Sequence, residues 1–311
     1  MHLQKGTLWN CIIAATERAM ASGALLPAPT SHTFVEDGGV RFFVRVLVSL
    51  QRKDEAREKQ AAHGSSGKQA NPFLPPEREL TVSDISDTHV AILNKFNVVD
   101  HHLLIVTRRF EDQEILLTAD DFEALWTCMA EFNCLGFYNG GREAGASQQH
   151  KHLQIVPLPL APEGPSVPIA PLLDRANGTI GDAIPGFFFL HAFQKLSPEL
   201  VRSPSLAAKE TFQFYRTMVK KVGMTPPAPN EETRQTLPYC FLMTREWMLL
   251  VPRSKECLED ISINSLAFAG SFFVRSDRQL ERLKSIGPLR ALQSVAVQSE
   301  QPTDLCRSGG Y

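Results

Sequence analysis

The sequence predicts an α+β fold, an antiparallel sheet with flanking helices. Three observations predict it. Two pairs of runs rich in β-branched, aromatic and aliphatic residues, Thr88–Leu93 with Val98–Thr107 and Tyr239–Thr244 with Trp247–Val251, are each joined by a short polar turn. Apolar residues recur at helical spacing over 7–23, after Thr118 and over Ser205–Val222. The second half of the chain repeats the first half's combination of a strand pair and a helix.

The elements follow in order. Leu8, Cys11, Ile12, Ala15 and Met20 share one face of the first helix, with Thr7 placed to cap its start. Val40–Val48 has strand composition, and Gly38-Gly39 supplies the turn before it. Gln51–Gln69 is charged, then Gly/Ser-rich and without apolar period, which predicts a mobile surface loop with Lys53 at its start. Asn94-Lys-Phe-Asn97 joins the first strand pair. Thr118 and Asp121 form a capping-box-like start, after which Phe122, Leu125, Trp126, Met129 and Asn133 fall at helical spacing. Leu135–Tyr138 is the strand that delivers the chain into a glycine-broken loop. From Pro157 to Pro185 proline and glycine predict a linker or wrapping loop. Gly186–Phe193 has the composition of a buried strand, Ser265–Val274 that of a final helix or strand, and the tail after about residue 298 that of a frayed end.

A chain of 311 residues buries a core without help. Its 21% charged and 43% hydrophobic residues are those of a globular protein, and a net charge of −2 argues against a basic nucleic-acid surface. No apolar run approaches the ~20 residues of a membrane span, and Met1–Gly6 does not open a secretory signal. Six cysteines, at 11, 128, 134, 240, 257 and 306, contain no Cys-x-x-Cys pair, which predicts reduced thiols and a cytoplasmic location.

The chemistry concentrates in the run from Asn139 to Pro157. Side chains alternate along a strand, so His150, His152 and Gln154 share one face, about 6.6 Å apart, and Lys151, Leu153 and Ile155 take the other. Gly145-Ala-Ser-Gln148 has the small residues that let backbone N–H groups approach an anion. The pattern suits a phosphate cradle feeding a histidine. It also suits a His-x-His metal pair, although zinc would need further ligands, or plain strand packing.

Asn139-Gly-Gly141, Gly145-Ala-Ser-Gln148 and His150-x-His152-x-Gln154 together resemble the diadenosine tetraphosphate phosphorylases, also called ATP adenylyltransferases, of the histidine-triad superfamily. Galactose-1-phosphate uridylyltransferases share the His-x-His-x-Gln core. The resemblance extends through Asn71–Glu77, Leu93–Val99, Thr244–Met248, Val251-Pro-Arg253 and Ile263–Gly270, covering roughly 35–280. It implies a histidine-triad-like, galactose-1-phosphate-uridylyltransferase-like sheet in two degenerate halves, with 1–160 and 186–298 as the halves, 161–185 a linker and 299–311 a disordered tail.

The resemblance implies phosphorolysis of diadenosine tetraphosphate: His152 attacks an α-phosphate, ATP leaves, AMP stays on the imidazole, and phosphate then releases ADP. His150 would orient or contact the phosphate. Gln154 stands where the hydrolases of the superfamily carry a third histidine, and an amide has no proton to give, which favours transfer over hydrolysis. Lys53, Asn94, Lys95, Asn139, Gly145, Ala146, Ser147, Gln148, Asn264, Ser265, Leu266, Ser271 and Arg275 would bind nucleotide and phosphate. Ser271 and Arg275 stand where family members can carry methionine and lysine, so an apolar base contact is lost and a charge kept. Cys240 takes the place of a usual asparagine, with packing its expected role. A magnesium ion carried by the nucleotide phosphates is expected, with no metal site built by the protein. The expected partners are a dinucleoside polyphosphate, ATP, ADP and phosphate, with no nucleic acid or membrane, in a monomer or dimer. A low-turnover nucleotide sensor and a His-x-His metal protein are the competing readings.

Overall fold

A computed structural model of the chain describes residues 3–47, 71–227 and 232–299. Lys53, the segment 51–69 and the tail from residue 300 lie outside the described residues. The elements are α1 (Leu8–Ser22), β1 (Thr30–Asp37), β2 (Val40–Leu47), β3 (Thr81–Asp84), β4 (His89–Leu93), β5 (Leu103–Thr107), α2 (Ala119–Met129), β6 (Cys134–Gly140) and β7 (His152–Pro157). The chain continues through α3 (Ala170–Leu173), β8 (Ala192–Lys195), α4 (Pro204–Lys221), β9 (Tyr239–Met243) and β10 (Trp247–Pro252). It closes with β11 (Cys257–Leu258), β12 (Ile261–Ser262), α5 (Ser265–Phe268), β13 (Ser271–Val274), α6 (Asp277–Ile286) and α7 (Pro288–Val295).

One eight-stranded sheet, ordered β3-β4-β5-β7-β6-β9-β10-β8 with every neighbour antiparallel, runs through both halves. Strand alternation divides its side chains cleanly. Leu103, Ile105, Leu153, Ile155, Tyr138 and Phe241 point to one face, under α1, α2 and α4. Phe137, Val156, Leu242 and Leu249 point to the other, packed against a small sheet β1-β2-β13 and against α6 and α7. Burying one such side chain contributes about 1.5–3 kcal/mol, so the two cores hold the sheet from both sides. Leu104, Val106, Val90, Ile92 and Phe73 form a third, smaller cluster on that second face. The gap between this cluster and the small sheet is where the cavity described below opens.

The predicted α2 carries its capping box, the Thr118 side chain accepting from the Asp121 N–H and the Asp121 carboxylate from the Thr118 N–H. It ends at Met129, before Asn133. Thr7 does not cap α1: its hydroxyl donates to the Gln4 carbonyl at 2.6 Å. The Glu131 carboxylate does so from a distance, accepting the Gly6 and Leu8 N–H groups at 2.9 and 3.3 Å. The strand expected over 98–107 starts only at Leu103, because the chain turns at His101 with φ of 57°. The strand expected over 186–193 lies at Ala192–Lys195, and Phe187 and Phe189 are buried as irregular chain. Ser265–Val274 is both alternatives, α5 and then β13. No helix among the described residues is long and apolar enough to cross a membrane.

Candidate functional site

A cavity of about 340 Å³ opens on the second face of the sheet. β7 forms its floor with His152 and Gln154, β4 and β5 one wall, and the loop after β6 with α5 and β13 the opposite wall. The wall from Leu93 to Val99 is apolar apart from Asn94 and Lys95, and the far rim carries Arg275.

His152 is 4% exposed. Its Nδ1 lies 2.8 Å from the carbonyl oxygen of His150, which can only accept, so Nδ1 carries the proton and Nε2 keeps its lone pair. Burial holds the imidazole pKa down at about 4, against the opposing pull of that carbonyl. At neutral pH the ring is therefore an uncharged base with a defined tautomer. Phe73 covers it at 5.3 Å between ring centres.

His150 does something other than expected. Its Nδ1 accepts from Asn71 Nδ2 at 2.9 Å, since Asn71 Oδ1 is taken by the Phe73 N–H. Its Nε2 donates to the Thr107 carbonyl at 2.9 Å. With both nitrogens engaged and the ring outside the cavity lining, the expected phosphate contact by His150 is corrected: its backbone carbonyl, not its ring, serves His152.

Gln154 is oriented by a relay whose direction can be worked out from donors that cannot accept. The Phe96 N–H donates to Asn94 Oδ1 at 3.2 Å, so Asn94 Nδ2 donates to His102 Nδ1 at 3.2 Å. His102 Nε2 then carries the proton and donates to Gln154 Oε1 at 3.0 Å. The Gln154 NH2 group is thereby left facing the cavity as a donor. Burial holds His102 at about 4, so the relay is neutral. Asn94, expected to hold the nucleotide, commits Oδ1 and one of its two amide hydrogens to this relay and lines the cavity with the second hydrogen left as a donor. His102 reaches Gln154 because the register of β5 against β7 sets Leu104 beside Gln154.

The other predicted residues divide. Asn139 lines the cavity, and its Oδ1 accepts from the Ser265 N–H and hydroxyl at 3.1 and 2.7 Å, so what it offers a ligand is its donor side. Ser265 itself is buried, its hydroxyl turned to Asn139 Oδ1 and the Tyr138 carbonyl rather than to the cavity. Gly145 has φ of +95° and a Cβ there would lie 2.8 Å from Asn264 Cβ, so no other residue fits where the loop meets the start of α5. The N–H groups of Gly145 and Ala146 close the turn onto Arg142 and Gly141, and Ala146 does not line the cavity. The anion donors expected of Gly145 to Gln148 therefore narrow to Ser147 and Gln148, which do line it. Asn264 caps α5 by accepting the Leu266 N–H, and both residues line the cavity. Lys95 pairs with Glu77 at 2.7 Å on the rim. Arg275 faces them across the opening and makes no ion pair among the described residues. Ser271 is fully buried and accepts from Arg45 Nη1 at 2.9 Å, so it touches no base; the Arg45 guanidinium stacks on Phe43.

Sequence reasoning missed two buried groups beside His152. The Lys151 ammonium, on the opposite face of the strand, pairs with Asp121 at 2.6 Å and Glu111 at 3.3 Å. The Gln113 side chain bonds the main chain of His152 itself.

Comparisons with known proteins agree with this architecture. A family model for the Ap4A phosphorylase N-terminal domain matches residues 1–175, and one for the ATP adenylyltransferase C-terminal domain matches residues 185–298. Diadenosine 5',5'''-P1,P4-tetraphosphate phosphorylase 2 of Saccharomyces cerevisiae is 29% identical over 272 residues, 78% of this chain and 79% of that protein. Protein APA1 of the same yeast is 25% identical over 246 residues, 71% and 73% of the two chains. In fold the chain is similar to yeast Ap4A phosphorylase Apa2 in complex with AMP, with a TM-score of 0.74 at 22% identity over 97% of this chain and 100% of that one. Against the same enzyme in complex with Ap4A the TM-score is 0.70, at 21% identity over 96% of this chain and 100% of that one.

Proposed function

The chain belongs to the family of Ap4A phosphorylases and ATP adenylyltransferases, and from that premise we propose that it cleaves diadenosine tetraphosphate with inorganic phosphate, giving ATP and ADP through an AMP–histidine intermediate. The observation that carries the reading is the tautomer of His152, whose proton sits on Nδ1 against the His150 carbonyl while Nε2 stays basic toward the cavity.

The Nε2 lone pair forms a bond to the α-phosphorus, and the bond from that phosphorus to the bridging oxygen breaks, with the electron pair leaving on ATP. The imidazole becomes positively charged as the P–N bond forms, and the His150 carbonyl stabilises that charge through Nδ1–H. Phosphate oxygen then attacks the same phosphorus, ADP forms, and His152 regains its lone pair. The Gln154 amide, held by His102, donates to phosphoryl oxygen but has no proton to give a water molecule, which supports transfer over hydrolysis. Lys95 and Arg275 face the polyphosphate from the two sides of the opening, and the apolar wall at Val98 and Val99 suits a base.

A magnesium ion would enter with the polyphosphate. Among the described residues the cavity's one lining carboxylate is Glu77, which already pairs with Lys95, and no cluster of three ligating side chains occurs, so the phosphates would supply the ligands. The nucleotide substrates and free cysteines fit a cytoplasmic enzyme.

Rapid mixing with diadenosine tetraphosphate in the absence of phosphate should trap an acid-labile, base-stable AMP adduct, and adding phosphate should convert it to ADP. His152→Ala should form none. An adduct persisting in that variant, or AMP rather than ADP as the second product, would overturn the reading.

A further inference from the structure

β6 and β7 pair from Cys134 and Pro157 up to Phe137 and Gln154, and there the ladder stops. Continued in register, it would set Asn139 opposite His152. The strands part instead, to make room for the loop that they carry, and this leaves the inward N–H and C=O of the nucleophile without a strand partner. The side-chain amide of Gln113 stands in the gap. Its Oε1 accepts the His152 N–H at 2.8 Å, and its Nε2 donates to the His152 carbonyl at 3.3 Å and the Asn139 carbonyl at 2.9 Å. The backbone of Gln113 completes the clasp: its N–H donates to the Gln149 carbonyl at 2.7 Å, and its carbonyl accepts the Tyr138 hydroxyl. Gln113 is 2% exposed and lies outside the cavity lining.

We propose that Gln113 is the positioning residue of the nucleophile, its amide replacing the missing rung of the ladder and so fixing the main chain of His152 and the base of the loop from Asn139 to Gln149. The inference rests on the function proposed above. The imidazole takes its direction from Nδ1 on the His150 carbonyl, which holds only while the backbone from 150 to 152 is held. Glutamine suits the place because it accepts one N–H and donates to two carbonyls at once; a carboxylate can do only the first, and a thioether neither well. A displacement of about 1 Å at a reacting centre can cost about 10²-fold in rate.

The test is single-turnover formation of the AMP–histidine adduct, measured beside the dissociation constant for AMP. Gln113→Met should slow adduct formation about 10²-fold while AMP affinity stays within about threefold, because only the transition state needs the imidazole in line. Gln113→Glu carries a pH signature that a structural role would lack. Burial raises its carboxyl pKa, so acidification from pH 8 to 5.5 restores one donor, and its rate relative to wild type should climb. Gln113→Asn, which keeps the amide one methylene short, should fall between wild type and Met and gives a third folded candidate. Folded variants at wild-type rate, equal loss of rate and AMP affinity, or a flat Gln113→Glu ratio would overturn the role of Gln113. Absence of an adduct in the wild type would instead overturn the function.

Discussion

In the proposed reaction His152 attacks phosphorus only while Nε2 is unprotonated, and its surroundings decide how far into acid that lasts. An exposed imidazole titrates near 6.5. Burial disfavours the imidazolium and sets His152 at about 4, and the neighbouring His102 at about 4 for the same reason. The sign is fixed by that direction: the neutral, reactive form is fully present above the ordinary pKa and is lost only as pH falls through the lowered one. Protonating His102 would also remove the acceptor that Asn94 donates to. Adduct formation from diadenosine tetraphosphate without added phosphate should therefore stay level from pH 8 to about 5.5 and fall only below about 5. Stopped-flow quench across that range checks it, and an inflection near 6.5 would mean that the imidazole is solvated in the working enzyme.

The element that holds the strand of His152 from behind is α2, and its N-terminus serves two purposes with one residue. Asp121 closes the capping box with Thr118 and also pairs with the fully buried Lys151 at 2.6 Å and with His89 at 3.0 Å. Those partners hold its carboxyl far below the usual range despite complete burial. Asp121→Asn would keep a cap acceptor but remove the charge that the buried ammonium faces, leaving Glu111 at 3.3 Å and the Leu116 carbonyl. Losing one partner of a buried pair costs about 3–5 kcal/mol, whereas losing a cap alone costs about 1 kcal/mol. Urea unfolding of Asp121→Asn and Thr118→Ala should separate the two, with equal losses counting against a structural ion pair. The capping box was legible in the sequence because it is local, as were β7, α4 and the strand pair β9 and β10, whose periods and turns lie within one stretch. α6 was legible too and went unread: Ser276 accepts the Gln279 N–H, Leu280 and Leu283 keep helical spacing, and Gly287-Pro288 ends it. What could not be read was contact between distant segments. β13 joins β2 in parallel across more than 200 residues, Glu131 caps α1, and Gln113 reaches His152 from a stretch without periodicity. His150 was misassigned for a related reason, since alternation fixes a side chain's face but not whether Asn71 and Thr107 have already engaged its nitrogens.

At the scale of the whole molecule, the two family segments meet inside one sheet rather than across a joint. β6, from the first, pairs with β9, from the second, over Gly136 to Gly140 against Met243 to Tyr239. Beneath that seam α2 and α4 share a core in which Phe122 packs on Tyr215 and Phe241, and Trp126 Nε1 donates to the Thr211 hydroxyl at 2.9 Å. The cavity depends on the same union, since Arg253 of the second segment donates to the Ala144 carbonyl of the first and to the Ile263 carbonyl just before α5, tying together the two pieces of one wall. Separating the segments would expose a central strand edge and the apolar faces of both helices, which neither could rebury alone. The chain should consequently unfold in a single cooperative step. Tryptophan fluorescence, which reports Trp9 on α1, Trp126 at the seam and Trp247 on β10, should give the same urea midpoint as far-ultraviolet dichroism, which averages over every element. AMP should move both midpoints upward together, because a ligand that touches both walls stabilises the one native state they form. Two resolved midpoints, or a shift confined to one probe, would mean that the segments hold their own cores and that the site closes between two independently stable bodies.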